Sequence, residues 1–212
     1  MRYFNPIDRF IIESDKAIKT LFGKTDFSNR AVPGQDLTEP TLSRAQQKES
    51  MRLMRINHAG EVSAQAMYQG QALTAKLPEV RASMEQAALE ESDHLAWCGQ
   101  RVNQLGGFTS VFNPLWYLGS LALGAAAGKV GDKWSLGFVA ETETQVVQHL
   151  EQHLERLTTE DTKSRAILEQ MREDEAHHKV MAVEAGGANL AQPIKQVMSL
   201  VSKVMIAASY RL

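Results

Sequence analysis

Apolar residues recur along this chain at spacings of three, four and seven, the period of a helix face, and strand-like alternation is scarce. Near the start, Ile7, Phe10, Ile11, Ile18, Leu21 and Phe22 form one stripe that stops at about Gly23, so a short amphipathic helix is expected there. Pro33, Gly34 and Pro40 mark 29–41 as a loop or arm. Four longer helical segments follow, at about 43–75, 78–105, 135–157 and 162–185, with Gly106-Gly107 and Gly186-Gly187 as stops for the second and fourth. Short connections join first to second and third to fourth, which makes two antiparallel hairpins; 106–134 is a long crossover between them. A last stripe of Ile194, Val197, Met198, Val201, Val204, Met205 and Ala208 predicts a C-terminal amphipathic helix, either packed across the bundle or facing a membrane. The expected fold is all-α. Residues 1–42 supply an N-terminal helix and arm, and 43–212 a four-helix bundle domain with a C-terminal helix.

Polar residues interrupt faces that should be apolar, and these interruptions carry the chemistry. Glu91 falls within the stripe Val80, Met84, Ala87, Leu95, Cys98, Val102, with His94 one turn on. Glu143 is surrounded at helical spacing by Leu136, Val139, Ala140, Val146, Val147 and Leu150. Leu168 and Met171 precede Glu175, and His178 and Ala182 follow it on the same face; Met54, Tyr68 and Ala72 share a row with Glu61. An unpaired carboxylate buried on such a stripe costs several kcal/mol. Four facing one core repel each other unless cations neutralise them, and two divalent ions balance four carboxylates.

The spacing argues the same point independently. Glu61 lies thirty residues before Glu91 and Glu143 thirty-two before Glu175, and each second glutamate begins a Glu-x-x-His. Residues three apart on a helix are neighbours on one face, so each hairpin offers a glutamate from its first helix and a Glu/His pair from its second. That is the ligand set of a dinuclear carboxylate centre in a ferritin-like bundle. Oxygen and nitrogen donors together suit iron or manganese rather than zinc-thiolate or calcium chemistry. Glu90 and Asp174, each four positions before a predicted ligand histidine, are expected either to hydrogen-bond the histidine nitrogens that face away from metal or to be solvated at the surface. His149 is rotated off the ligand face and is a candidate for an outer role at the site or for substrate contact. His58, His153 and His177 are expected to be structural or exposed, and Glu141, on another face, is disfavoured against Glu143.

Composition changes this picture little. A chain of 212 residues suits one compact core, a net charge of −2 gives no general attraction to nucleic acid, and the lone Cys98 allows no intrachain disulfide and reads as a small buried hydrophobe. Met1 to Phe10 carries Arg2, Asp8 and Arg9 and does not read as a secretory signal. The exception is 106–128, which has no charged residue. Pro114, Gly119 and Gly124 interrupt it, so contact with a bilayer surface is expected there rather than a span.

With these motifs the sequence resembles the demethoxyubiquinone hydroxylases of ubiquinone biosynthesis. The resemblance is carried by Asn57-His58-Ala59-Gly60-Glu61, Glu90-Glu91-Ser92-Asp93-His94, Glu141-Thr142-Glu143 with His149, and Glu173-Asp174-Glu175-Ala176-His177-His178, and runs from about Arg52 to the C-terminus. It implies a di-iron monooxygenase in which Glu91 and Glu175 bridge the irons while Glu61, His94, Glu143 and His178 bind at the ends. It also implies dioxygen as co-substrate, an external reductant, and a polyprenyl benzoquinol or quinone substrate. A peripheral position on the cytoplasmic face of the inner membrane follows, with other ubiquinone-biosynthesis proteins and a second copy of the chain as open partners. Some relatives have tyrosine directly after the position of His149; this chain has Leu150, so no role of that tyrosine transfers. A ferritin-like iron store or oxidase, a di-iron hydroxylase of modified tRNA and a metal-free interaction module are the alternatives.

Overall fold

The computed structural model describes residues 5–23 and 30–212. Residues 1–4 and 24–29 lie outside it, and with them the start of the N-terminal stretch and Asn29 of the expected arm. The regular structure of the described residues is helical: α1 (Pro6–Phe22), α2 (Arg44–Thr74), α3 (Pro78–Gln104), α4 (Asn113–Val130), α5 (Asp132–Arg156), α6 (Thr162–Glu184) and α7 (Gln192–Ser209).

Local chemistry sets the ends. Ser43 and Gln46 form a reciprocal cap on α2, Asn5 and Asp8 do the same for α1, and the Asp161 side chain accepts from Ser164 N at the start of α6. Helices α3 and α6 stop identically. Gly106 and Gly186 take positive φ (77° and 91°), and the next glycine N–H reaches back five residues, to Val102 O and Ala182 O. A side chain at either positive-φ position would be strained, so Gly is needed there.

The four long helices α2, α3, α5 and α6 form the bundle. Across α2 and α5, Gln46 meets Thr158 just past the end of α5, Tyr68 meets Glu143 and Gln71 meets the Ser135 carbonyl, so these helices run antiparallel. The apolar core is divided into two layers. One holds Leu53, Met54, Trp97, Cys98, Leu150, Leu168 and Met171; the other holds Met67, Tyr68, Val80, Met84, Leu136, Val139 and Ala182. Residues 61, 91, 94, 143, 175 and 178 fall between the two sets along every helix, so the predicted ligands form a polar layer sealed above and below by hydrocarbon.

The crossover departs from expectation. Residues 113–130 are one unbroken helix packed along α2. Pro114 begins it, in the first turn where the missing N–H costs nothing. Gly124 is a contact point rather than an interruption: a Cβ there would strike the backbone of Met67, and one on Gly70 would strike that of Leu121 and Ala125. Among the described residues no helix is long and apolar enough to cross a membrane. Helix α1 covers the other side of this pair, where Thr20 donates to Gln65 at 2.7 Å and Tyr117 donates to Gln69.

Helix α7 lies across α2 and α5. Lys195 pairs with Glu141 at 2.8 Å, and the Tyr210 ring stacks under the guanidinium of Arg52 while its hydroxyl donates to Glu49. Its Val197, Leu200, Val201 and Val204 remain exposed.

Candidate metal centre

Glu61 on α2, Glu91 and His94 on α3 and Glu175 on α6 are all buried, and each presents one ligand atom within 4.8 Å of the others. His178 joins from the far side. The arrangement is reciprocal. Nδ1 of His94 is 3.1 Å from Glu91 Oε2 and 3.2 Å from Glu175 Oε1, whereas Nδ1 of His178 is 3.2 Å from Glu91 Oε1 and 3.2 Å from Glu175 Oε2. Each central carboxylate thus offers one oxygen to each histidine. Glu61 is on the His94 side, 3.8 Å from its Nδ1. Glu143, also buried, accepts from the Tyr68 hydroxyl at 2.5 Å, and its charge is felt by His178 and the central pair.

The outward nitrogens settle the tautomers. Nε2 of His94 is 2.9 Å from Asp174 Oδ2 and Nε2 of His178 is 2.7 Å from Glu90 Oε2. An ionised carboxylate only accepts, so both Nε2 atoms donate and, in the neutral ring, both Nδ1 lone pairs point inward. The expected role of Glu90 and Asp174 is seen, but the pairing is crossed. Neither serves the histidine of its own helix: Asp174 on α6 holds His94 of α3, and Glu90 on α3 holds His178 of α6.

So many acids at one place share protons. Burial pushes the Glu61 and Glu143 carboxyls well above the usual carboxylate range, and the charges of their acidic neighbours add to the rise. For Glu91 burial acts upward, but the His94 and His178 rings outweigh it and hold the carboxyl low. Burial would lower His94, yet the charge of Glu91 and the contact with Asp174 raise it; His178 is pushed up to about 12 against burial by Glu175 and Glu91.

Does a metal pair fit these residues? Among the described residues, Oε2 of Glu61 is fully buried without a hydrogen-bond partner, and His94 Nδ1 is 3.8 Å from it. Unsatisfied carboxylate oxygens in a sealed layer are costly unless something positive meets them. Four carboxylates and two neutral imidazoles match the charge of two divalent ions and supply the mixed oxygen and nitrogen donors that such ions take. The buried Glu61, Glu91, His94 and Glu175 group can therefore hold metal.

Other predicted positions fall elsewhere. His149 is half-buried and meets His153 edge-on, ring centres 3.9 Å apart; His153 Nδ1 contacts Asn57 Oδ1 at 3.0 Å. His58 is buried beside Gly99 and Asn113, and His177 is exposed. Glu141 points to Lys195. Cys98 is buried against Met171, and burial pushes its thiol up.

Two residues next to the site carry no sequence signal. Trp97, one turn from His94, is buried with its ring 5.4 Å from that imidazole. Arg30, from the arm, pairs with Asp174 at 2.7 Å. Only the three-residue step from His94 could have suggested Trp97, and nothing periodic marks Arg30.

Comparison with known proteins agrees with the resemblance carried by the motifs. The family described as ubiquinone biosynthesis protein COQ7 matches residues 48–209. A 3-demethoxyubiquinol 3-hydroxylase of Nitrosococcus oceani is 55% identical over 209 residues, covering 99% of this chain and 98% of that protein. Proteins of the same name from Stutzerimonas stutzeri and Chromobacterium violaceum are 56% identical (100% of this chain, 98% of that protein) and 54% identical (97% and 99%). This chain, with its duplicated Glu and Glu-x-x-His motif, belongs to the COQ7 family of ubiquinone biosynthesis proteins.

Proposed function

We propose that this chain is a monooxygenase that uses two iron ions, dioxygen and an external reductant to hydroxylate the open ring carbon of 2-polyprenyl-3-methyl-6-methoxy-1,4-benzoquinol. The observation that carries this reading is the reciprocal contact of Glu91 and Glu175 with both histidines, in a chain more than half identical to proteins named 3-demethoxyubiquinol 3-hydroxylase. Glu91 and Glu175 would lie between the ions, with Glu61 and His94 at one and Glu143 and His178 at the other.

Iron so held supplies the one-electron chemistry that lets dioxygen react with a ring carbon. One oxygen atom enters the C–H bond; the other leaves as water, with two electrons from the reductant and two protons. The chain's own part is to hold and exclude. Asp174 and Glu90 fix the two imidazoles, Tyr68 restrains Glu143 by its hydrogen bond, and the two apolar layers keep water from the reacting atoms.

A polyprenyl tail stays in a bilayer, so the same reading brings the protein to the cytoplasmic face of the inner membrane as a peripheral protein. Supporting it are apolar side chains standing in solvent on three helices: Phe10 (73% exposed) on α1, Leu115 and Leu118 (59% and 63%) on α4, and Leu200 (63%) on α7. The slight net negative charge offers no support for nucleic acid as a partner.

The test is anaerobic loading with ferrous iron, then addition of the quinol, reductant and labelled dioxygen. Bound iron at two per chain and one labelled oxygen in the product are expected. Loading without product would overturn the substrate assignment; no loading would overturn the centre itself.

A further inference from the structure

We infer that Arg30, in the N-terminal arm, is a positioning residue for the metal centre, acting through Asp174 on His94. This rests on the reading of the centre given above. Arg30 Nη2 pairs with Asp174 Oδ2 at 2.7 Å, and that same oxygen is 2.9 Å from His94 Nε2. The guanidinium also lies 5.0 Å over the Trp97 ring, which in turn packs 5.4 Å from His94, and its Nε is 4.0 Å from the buried Asp93 carboxylate. One arm residue therefore touches the carboxylate behind the ligand, the indole beside it and the acid next to it in sequence. A planar fork stacked on an aromatic ring is held in orientation in a way an ammonium is not.

The arm is itself anchored independently of the centre. Glu39 pairs with Arg101 at 2.8 Å and with Lys163 at 3.1 Å, and Val32 packs against the core layer of Leu53 and Trp97. Arg30 is thus presented from a fixed strap.

The two half-sites, alike in sequence, differ here. Asp174 behind His94 is held by Arg30, with Gln170 at 3.0 Å on its other oxygen. Glu90 behind His178 has neutral Gln86 at 2.9 Å. The duplication in the ligands is broken by a cation contributed from outside the bundle, so the two metal positions are inequivalent.

The test is cobalt(II) titration of the full chain under anaerobic conditions, following the visible d–d bands of the two sites and helicity by circular dichroism. Wild type is expected to bind two ions. Arg30→Gln and Arg30→Met should each lose about tenfold in affinity at one site, with the other unchanged. Met keeps the apolar stem over Trp97, so rescue by Met would make Arg30 a packing residue and overturn the proposal. In combination with Asp174→Asn, Arg30→Gln should add nothing, because both act through one contact. Unchanged or tighter binding, or equal losses at both sites, would refute the positioning role while leaving the centre intact. A wild type that binds no cobalt would remove both.

Discussion

Asp174 of α6 stands 2.9 Å from the outward nitrogen of His94 on α3, not from the histidine of its own helix. Glu90 makes the converse contact with His178 at 2.7 Å. Each hairpin therefore orients a histidine of the other. The crossed pair couples the docking of α3 on α6 to the direction of both Nδ1 lone pairs, and ligand geometry then depends on assembly of the whole bundle rather than on either hairpin.

Glu90→Ala is the direct check on this coupling. His178 would keep its backbone position and lose the acceptor that sets its tautomer and tilt. Metal affinity at that position should drop about 10- to 100-fold. Isothermal titration with ferrous iron measures it, and Glu141→Ala, whose carboxylate points to Lys195, should bind as wild type does.

The Tyr68 hydroxyl is fully buried and donates to Glu143 Oε1 at 2.5 Å. Tyr68→Phe keeps the ring in the apolar layer and leaves that carboxyl without its donor. A loss of about 1–3 kcal/mol is expected in urea unfolding of the metal-free protein, along with weaker iron binding at the Glu143 and His178 side. Unfolding identical to wild type would mean that another group replaces the hydroxyl.

The clustering of Glu61, Glu91, His94 and Glu175 was legible because its geometry is local: a spacing of three on a helix defines a face whatever packs against it. The duplicated glycine stops of α3 and α6 were legible for the same reason. What sequence could not show depends on contacts between distant segments. The i−4 spacing of Glu90 and Asp174 suggests their own helices, whereas the partners are 88 and 80 residues away. Arg30 is 144 residues from Asp174 and belongs to a loop with no period to reveal it. Gly124 read as a break in an apolar run because its reason, the Met67 backbone on another helix, is tertiary.

That contact gives a paired prediction. Gly70→Ala and Gly124→Ala each drive a methyl into backbone, which cannot give way as a side-chain tip can. Each should cost about 1–3 kcal/mol. Gly119, exposed on the same helix with open space around it, should behave oppositely: Gly119→Ala is expected to stabilise by about 0.5–1 kcal/mol. Chemical denaturation of the three variants reads both signs, and three equal effects would mean that α4 does not pack as described.

Mild acid should remove the stability contributed by histidines that are buried neutral. Burial pushes His58 down to about 4 from an ordinary value of 6.5. Between those values the unfolded chain takes up a proton that the folded one refuses, so stability is full above pH 6.5, falls as pH drops toward 4 and then levels. The drop from 6.5 to about 4 corresponds to roughly 3 kcal/mol. His153, pushed down to about 2 by burial and by His149 and Arg156, acts in the same direction. Glu61 and Glu143, pushed up by burial, act oppositely, so the His58 contribution is read as a difference: the urea midpoint of wild type relative to His58→Gln should decline from pH 7 to 4.5.

Membrane attachment makes the last prediction, and the structure selects its residues. Leu121 is half-buried against the Val62, Ala66 and Tyr117 cluster, so a charge there would disturb the fold itself. Leu115 and Leu118 stand in solvent, 59% and 63% exposed, one turn apart on α4. Burying a leucine side chain in an apolar phase is worth about 1.5–3 kcal/mol, and a charge replaces that gain with a cost. Leu115→Glu/Leu118→Glu should therefore keep its helicity and its two-iron stoichiometry yet lose flotation with phospholipid vesicles by a factor of roughly 100 or more. It should still hydroxylate a short-tailed, water-soluble quinol analogue at the wild-type rate while failing with a long-tailed one. Undiminished flotation of the folded variant would assign the membrane-facing surface to α1 or α7 instead, with Phe10 and Leu200 the next residues to change.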